Sequence, residues 1–165
     1  MDARWRVTRG EQDPATVERL LRSLPDWFGI PAANAEYVEA ARELPTYLAR
    51  PAENAATGHA DPVGVLLARR HFAEAAEIHL LAVEPSLHRH GVGRALVAAL
   101  ETDLRADGCC VLQVKTLGPS KLHAGYERTR QFYTTVGFWP LEEVDLWGPE
   151  NPCLILVKTL AHTSM

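Results

Sequence analysis

At 165 residues the chain has the length of one domain, and a chain of this size buries roughly two thirds of its unfolded surface on folding. With 47% hydrophobic and 23% charged residues it lies outside the compositions of disordered and fibrous proteins. A net charge of −4 with no concentrated basic stretch argues against nucleic acid as a partner and leaves a neutral or cationic small molecule.

Taken in chain order, Trp5–Thr8 reads as a first strand after an N-terminus, Met1 to Arg6, that lacks the apolar region of a signal peptide. Asp13-Pro14 supplies a cap and a first turn for a helix to about Ser23, with Val17, Leu20, Leu21 and Leu24 at helical spacing. A loop over Pro25–Pro31 carries the bulky Trp27 and Phe28, and a second helix follows from Pro31 or Asn34 to Glu43, stopped by Pro45. Thr46–Arg50 and Val63–His71 form a hairpin across a small-residue connection, Pro51–Asp61.

The strand Glu77–Val83 runs through a short loop into a helix with Val92, Leu96, Leu100 and Leu104 four apart, Glu101 and Arg105 pairing on its outer side, and Gly108 as its stop. Val111–Leu117 is a further strand, Tyr126–Val136 a helix ended by Gly137, and Phe138–Leu146 and Cys153–Leu160 closing strands. No apolar run approaches the roughly 20 residues that cross a bilayer, so the protein is expected in the cytoplasm, with no membrane partner. Three cysteines, two adjacent at Cys109 and Cys110, cannot build a disulfide framework and read as buried, inert thiols at the start of a strand.

The segment His88-Arg89-His90-Gly91-Val92-Gly93-Arg94, between a strand and a helix, has the form of an anion hole. Its glycines allow a close approach, and the first helical turn aims unpaired N–H groups at one point, where a phosphate or pyrophosphate fits. A nucleoside-triphosphate loop would need Gly-Lys-Ser/Thr, which is absent. A dinucleotide fingerprint would need a small residue where Leu96 stands and an acidic residue where the next strand ends in Lys115-Thr116. Taken alone, the glycines serve equally well for a tight turn and close helix packing.

The same segment, with Arg130-Gln131-Phe132-Tyr133-Thr134-Thr135-Val136-Gly137-Phe138 about 40 residues on, resembles the GNAT superfamily of N-acetyltransferases. Its loop signature, Gln/Arg-x-x-Gly-x-Gly/Ala, is met here except that His88 takes the first place, and its second signature is an aromatic-Tyr pair followed by Gly-Phe. The resemblance is strongest over residues 60–140. It implies a mixed α/β fold of one N-acetyltransferase domain over residues 1–165: a mostly antiparallel twisted sheet of six to seven strands flanked by about four helices. It also implies acetyl-CoA as donor, an amine of a small molecule or peptide as acceptor, dimers as a common assembly, and no metal.

Residue by residue, the resemblance implies a pyrophosphate on the amides of Arg89–Arg94, with side-chain contacts from His88, Arg89, His90 and Arg130. Main-chain N–H groups around Leu81, Ala82 and Val83 would polarise the thioester carbonyl, and the Tyr133 hydroxyl would protonate the leaving thiolate. Transfer also needs a neutral amine, and an alkyl ammonium titrates near about 10, so a carboxylate or imidazole must take its proton. Glu77 resembles the strand glutamate that is the base in one branch of the family. His79, on the same face by strand alternation, is the second candidate because imidazole ordinarily titrates near neutrality. Trp27, Phe28, Glu36 and Tyr37 would line the acceptor side and Trp147 would close it, aromatics beside carboxylates suiting a cationic amine with an apolar body. The reading of another class is a non-catalytic acyl-CoA-binding module on the same fold.

Overall fold

A computed structural model describes residues 3–54 and 60–161 of the chain; the centre of the predicted Pro51–Asp61 connection, residues 55–59, lies outside the described residues, as do Met1 and Asp2. The described residues form seven strands, β1 (Trp5–Arg9), β2 (Thr46–Pro51), β3 (Gly64–Phe72), β4 (Ala75–Val83), β5 (Val111–Leu117), β6 (Trp139–Val144) and β7 (Cys153–Thr159), and four α-helices, a mixed α/β fold with one sheet in the order β1-β2-β3-β4-β5-β7-β6. Strands β1–β2, β2–β3, β5–β7 and β6–β7 pair antiparallel, and β4–β5 pair in parallel. No helix among the described residues is long and apolar enough to cross a membrane. The chain divides into two compact units: residues up to Arg69 with His79–Asp103, and Arg70–Ile78 with the residues from Leu104 on.

In the first unit, β1 (Trp5–Arg9) pairs with β2 (Thr46–Pro51). Helix α1 (Pro14–Arg22) begins as its sequence dictates: Pro14 sits at the first turn, and the Asp13 carboxylate accepts from Thr16 N–H at 3.0 Å. Val17, Leu20, Leu21 and Leu24 then pack into one core with Leu48, Val65, Leu67, Leu80 and Ala82. Each large aliphatic side chain buried there contributes about 1.5–3 kcal/mol. Helix α2 (Pro31–Ala40) stops short of Glu43, because Arg42 and Glu43 donate three residues back, to Glu39 and Ala40, and tighten the last turn into 3₁₀ geometry.

Strand β3 (Gly64–Phe72) opens on a glycine for a packing reason. A Cβ at Gly64 would stand 2.7 Å from Val92 Cγ1 and 3.1 Å from Leu96 Cδ1, both in the first turns of α3 (Val92–Ala106). Gly64→Ala is therefore expected to cost about 1–3 kcal/mol by overpacking, read as a lower urea midpoint at constant slope. Along α3 the buried stripe is wider than a four-residue repeat: Val97 and Glu101 are buried beside Val92, Leu96 and Leu100. Glu101, expected on the outer side with Arg105, instead lies one turn after Val97 on this broadened face. At its far end Asp103 accepts from Arg9 Nε at 2.7 Å and from Tyr47 Oη at 2.8 Å, and burial with that carboxylate pushes the Tyr47 phenol far above its ordinary range.

Strand β4 (Ala75–Val83), whose first part up to Ile78 belongs to the second unit, begins two residues before the predicted Glu77, and its ladder with β5 (Val111–Leu117) runs from Ala75↔Val111 to Ile78↔Val114. Strand β7 (Cys153–Thr159) lies between β5 and the edge strand β6 (Trp139–Val144). Phe138, predicted as strand, instead packs its ring 5.4 Å from that of Tyr133. Helix α4 (Ala124–Thr135) begins two residues before Tyr126, since His123 Nδ1 accepts from Tyr126 N–H at 3.1 Å and caps it. Gly137, at φ +99°, ends it in the left-handed conformation that glycine adopts without strain. Cys109 is fully buried as expected, whereas Cys110, one residue on and just before β5, is only half-buried.

Candidate functional site

The loop from β4 into α3 passes through a short 3₁₀ turn, Pro85–Leu87, and then through two left-handed residues, Arg89 at φ +65° and Gly91 at φ +86°. A left-handed arginine costs about 1 kcal/mol, and alternating left- and right-handed residues turn successive N–H groups toward one side. Among the described residues, no main-chain carbonyl takes the N–H of Arg89, Gly91, Val92, Gly93 or Arg94; the helical ladder begins only with Ala95 N–H to Gly91 O at 3.0 Å. Five donors at a helix N-terminus, beside the exposed side chains of Arg89 and Arg94, match the demand of a diphosphate in number, charge and dipole. His88, where the resemblance expects Gln or Arg, turns inward: its Nε2–H donates to Val83 O at 2.9 Å, and its ring meets that of Trp27 at 5.5 Å, edge to face. His90 Nδ1–H donates to His88 O at 2.9 Å.

Strand β4 presents its residues as alternation requires. Ala76, Ile78, Leu80 and Ala82 are buried, while His79, Leu81 and Val83 on the other face are only partly so; Leu81, Ala82 and Val83 lie past the end of the β4–β5 ladder. Beside His79, in the same unit, the acceptor-side aromatics converge: the Tyr37 ring lies 5.3 Å from that of His79, and Phe28 lies 6.0 Å from Tyr37. Trp27, Phe28 and Tyr37 also pack on the core of that unit, so their positions are fixed by apolar burial. Glu36 stands exposed on α2. The structure thus brings His79, His88, Trp27, Phe28 and Tyr37 into one neighbourhood. Trp147, belonging to the second unit, is 43% exposed in the β6–β7 connection.

Glu77 sits in a different environment from His79, although only two residues separate them. It is 6% exposed; its Oε1 accepts from Lys115 Nζ at 2.5 Å and from Gln113 Nε2 at 2.7 Å, and His71 Nε2 lies 3.7 Å away. The parallel register Glu77↔Gln113 puts both β5 partners on the same side of the strand pair. Cys153 completes the cluster, and burial pushes its thiol up, which makes it unreactive. Neither Gln113 nor Lys115 is a candidate on sequence grounds. The available signal is the polar alternation Gln113-x-Lys115 within the apolar run Val111–Leu117, which asks for a charge on a neighbouring strand.

Tyr133, in the second unit, is 4% exposed and flanked edge to face by Phe132 at 5.1 Å and Phe138 at 5.4 Å. The Tyr-Gly-Phe signature therefore has a packing reason: the turn at Gly137 folds Phe138 back onto the tyrosine, with Phe138 N–H donating to Tyr133 O at 2.9 Å. Arg130, expected at a CoA phosphate, donates from Nη1 to Leu117 O at 2.7 Å and so ties α4 to the end of β5.

The sequence profile of the acetyltransferase (GNAT) family matches residues 15–138. No curated protein matches the chain in sequence. Solved structures share its fold. A GNAT-family protein from Desulfovibrio desulfuricans has a TM-score of 0.79 at 21% identity, covering 95% of this chain and 99% of that one. The ribosomal-protein-S18-alanine N-acetyltransferase of Escherichia coli has a TM-score of 0.72 at 14% identity, covering 97% and 96%. A GNAT-family acetyltransferase from Elizabethkingia anophelis, solved with acetyl-CoA bound, has a TM-score of 0.69 at 14% identity, covering 97% and 100%. With the profile spanning most of the chain, and with both the anion loop and the Tyr-Gly-Phe turn inside it, the chain belongs to the acetyltransferase (GNAT) family.

Proposed function

We propose that the protein is an N-acetyltransferase that takes its acetyl group from acetyl-CoA and delivers it to the primary amine of a small molecule or peptide. The observation that carries this reading is the set of five amide donors at residues 89 and 91–94, with no main-chain acceptor among the described residues, inside a family-matched loop. The fold neighbour that holds acetyl-CoA supports it. Acetyl-CoA supplies the activated acetyl thioester. The residues of this chain bind its diphosphate and manage two protons.

His79 is assigned as the base. The Glu77 carboxylate is 6% exposed, and its Oε1 is already taken by an ammonium at 2.5 Å and an amide at 2.7 Å, which leaves little of it open to an incoming amine. Glu77 is therefore a poor acceptor of the ammonium proton. His79 is partly exposed, lies against Tyr37, and offers a ring nitrogen that can take up a proton. Once the amine is neutral, its nitrogen would attack the acetyl carbon, the carbon–sulfur bond would break, the thiolate would take a proton from the Tyr133 hydroxyl, and the second proton shed by the nitrogen as the amide forms would restore that hydroxyl by way of solvent, leaving amide and free thiol. The aromatic neighbourhood of Trp27, Phe28 and Tyr37 favours an amine that carries an apolar or aromatic body.

The test is release of free thiol from acetyl-CoA over a panel of amines, beside calorimetry with CoA. Tight binding with turnover on at least one amine is expected. Binding without turnover on any amine replaces the enzyme by a binding module, and no binding at all removes the reading. Tyr133→Phe is expected to lower turnover about 10- to 100-fold while the Kd for CoA stays within about twofold, because only the proton donor is lost and the buried ring remains.

A further inference from the structure

In the same unit as the anion loop, the side chain of Trp5, the first residue of β1, and that of Arg4 just before it reach across to it. Trp5 Nε1–H donates to the His90 carbonyl at 2.7 Å, and Arg4 Nη2–H donates to the same oxygen at 3.2 Å. A trans peptide is planar, and its C=O and N–H point in opposite directions. The peptide that carries the His90 carbonyl carries the Gly91 N–H. Holding that oxygen toward β1 therefore aims the Gly91 N–H away from β1. That N–H takes no main-chain acceptor among the described residues.

The loop needs such a hold. Gly91, at φ +86°, has no side chain to lock its backbone, and the conformational freedom that lets it turn also lets the 90–91 peptide flip when unliganded. A flip would put a carbonyl oxygen where a phosphate oxygen has to sit, turning attraction into repulsion. The loop's own bonds hold other atoms: His90 Nδ1–H is bound to His88 O, and His90 N–H to Leu87 O at 3.2 Å. Among the described residues, Trp5 and Arg4 are the donors to the 90–91 carbonyl, and one of them is charged, which strengthens its bond.

We infer that Trp5 and Arg4 are positioning residues for the diphosphate of the donor, a clasp from the first strand that fixes the Gly91 N–H in its binding orientation. This rests on the acetyl-CoA reading of the loop. The clasp acts on the diphosphate alone, so its loss should weaken ligands that contain one and spare those that end at the pantetheine arm.

The experiment measures Kd for CoA by calorimetry, Kd for S-acetylpantetheine by ligand-observed NMR, and the melting temperature, for the unaltered chain, Trp5→Phe and Arg4→Met. Trp5→Phe keeps an aromatic ring, smaller than the indole, and removes the donor. It should raise the Kd for CoA about five- to tenfold, the loss of one directed hydrogen bond, with the Kd for S-acetylpantetheine within twofold. Arg4→Met should raise the CoA value about threefold in the same selective way, and it carries the test if Trp5→Phe does not fold. A CoA affinity within twofold of the unaltered chain for both variants overturns the inference, and so does a parallel loss for S-acetylpantetheine, which marks general loosening. If the unaltered chain binds no CoA, it is the acetyl-CoA reading of the loop that falls, and the clasp falls with it.

Discussion

Replacing His79 with alanine is expected to lower kcat on the amine acceptor by about 100- to 10,000-fold, the range that a positioned general base supplies, with affinity for CoA unchanged. Added imidazole should restore part of the rate by entering the space left beside the Tyr37 ring, 5.3 Å from that of His79 in the intact protein. Retention of kcat within tenfold in the alanine variant excludes His79 as the base.

The matching substitution, Glu77→Gln, separates the two candidates on β4. If the assignment is right, the glutamine variant keeps kcat within about tenfold, because Glu77 already lies against Lys115 and Gln113. If Glu77 were the base, the two variants would exchange behaviours. The comparison needs no knowledge of the natural acceptor, only one amine that turns over.

The parts of this molecule legible in the sequence are those written in local spacing. Asp13-Pro14 marks the start of α1, the Gly91-Val92-Gly93 turn marks the anion loop, and Gly137 marks the end of α4; each lies within a few residues of what it determines. Bounds fail where a chain end is settled by an unusual group. Helix α4 begins early because a histidine caps it, and α2 ends early because its last turn tightens. The relations not legible are long-range. Nothing near Glu77 in the sequence says that Lys115, 38 residues on, meets its carboxylate, since that contact depends on the register of a parallel ladder. The grip of Trp5 on His90, 85 residues away, is hidden for the same reason. Glu77 and His79 look equivalent by alternation, and only the partners supplied by β5 distinguish them.

Those partners predict the largest effect on stability. Lys115→Met leaves the carboxylate of Glu77 6% exposed with Gln113 at 2.7 Å and His71 at 3.7 Å in place of a full counter-charge. Removing one member of a buried pair typically costs about 3–5 kcal/mol. Because the Lys115 side chain is 26% exposed and partly screened, we expect about 2–4 kcal/mol at pH 7, read from urea unfolding with an unchanged slope. Removing both charges, as Glu77→Gln with Lys115→Met, should recover most of the loss, since no buried charge is then left without a partner. A single variant within 0.5 kcal/mol of the unaltered protein, or a double variant as unstable as the single, would show that the 2.5 Å contact does not hold Glu77 in its ionised form, and the argument that disqualifies Glu77 as the base would go with it.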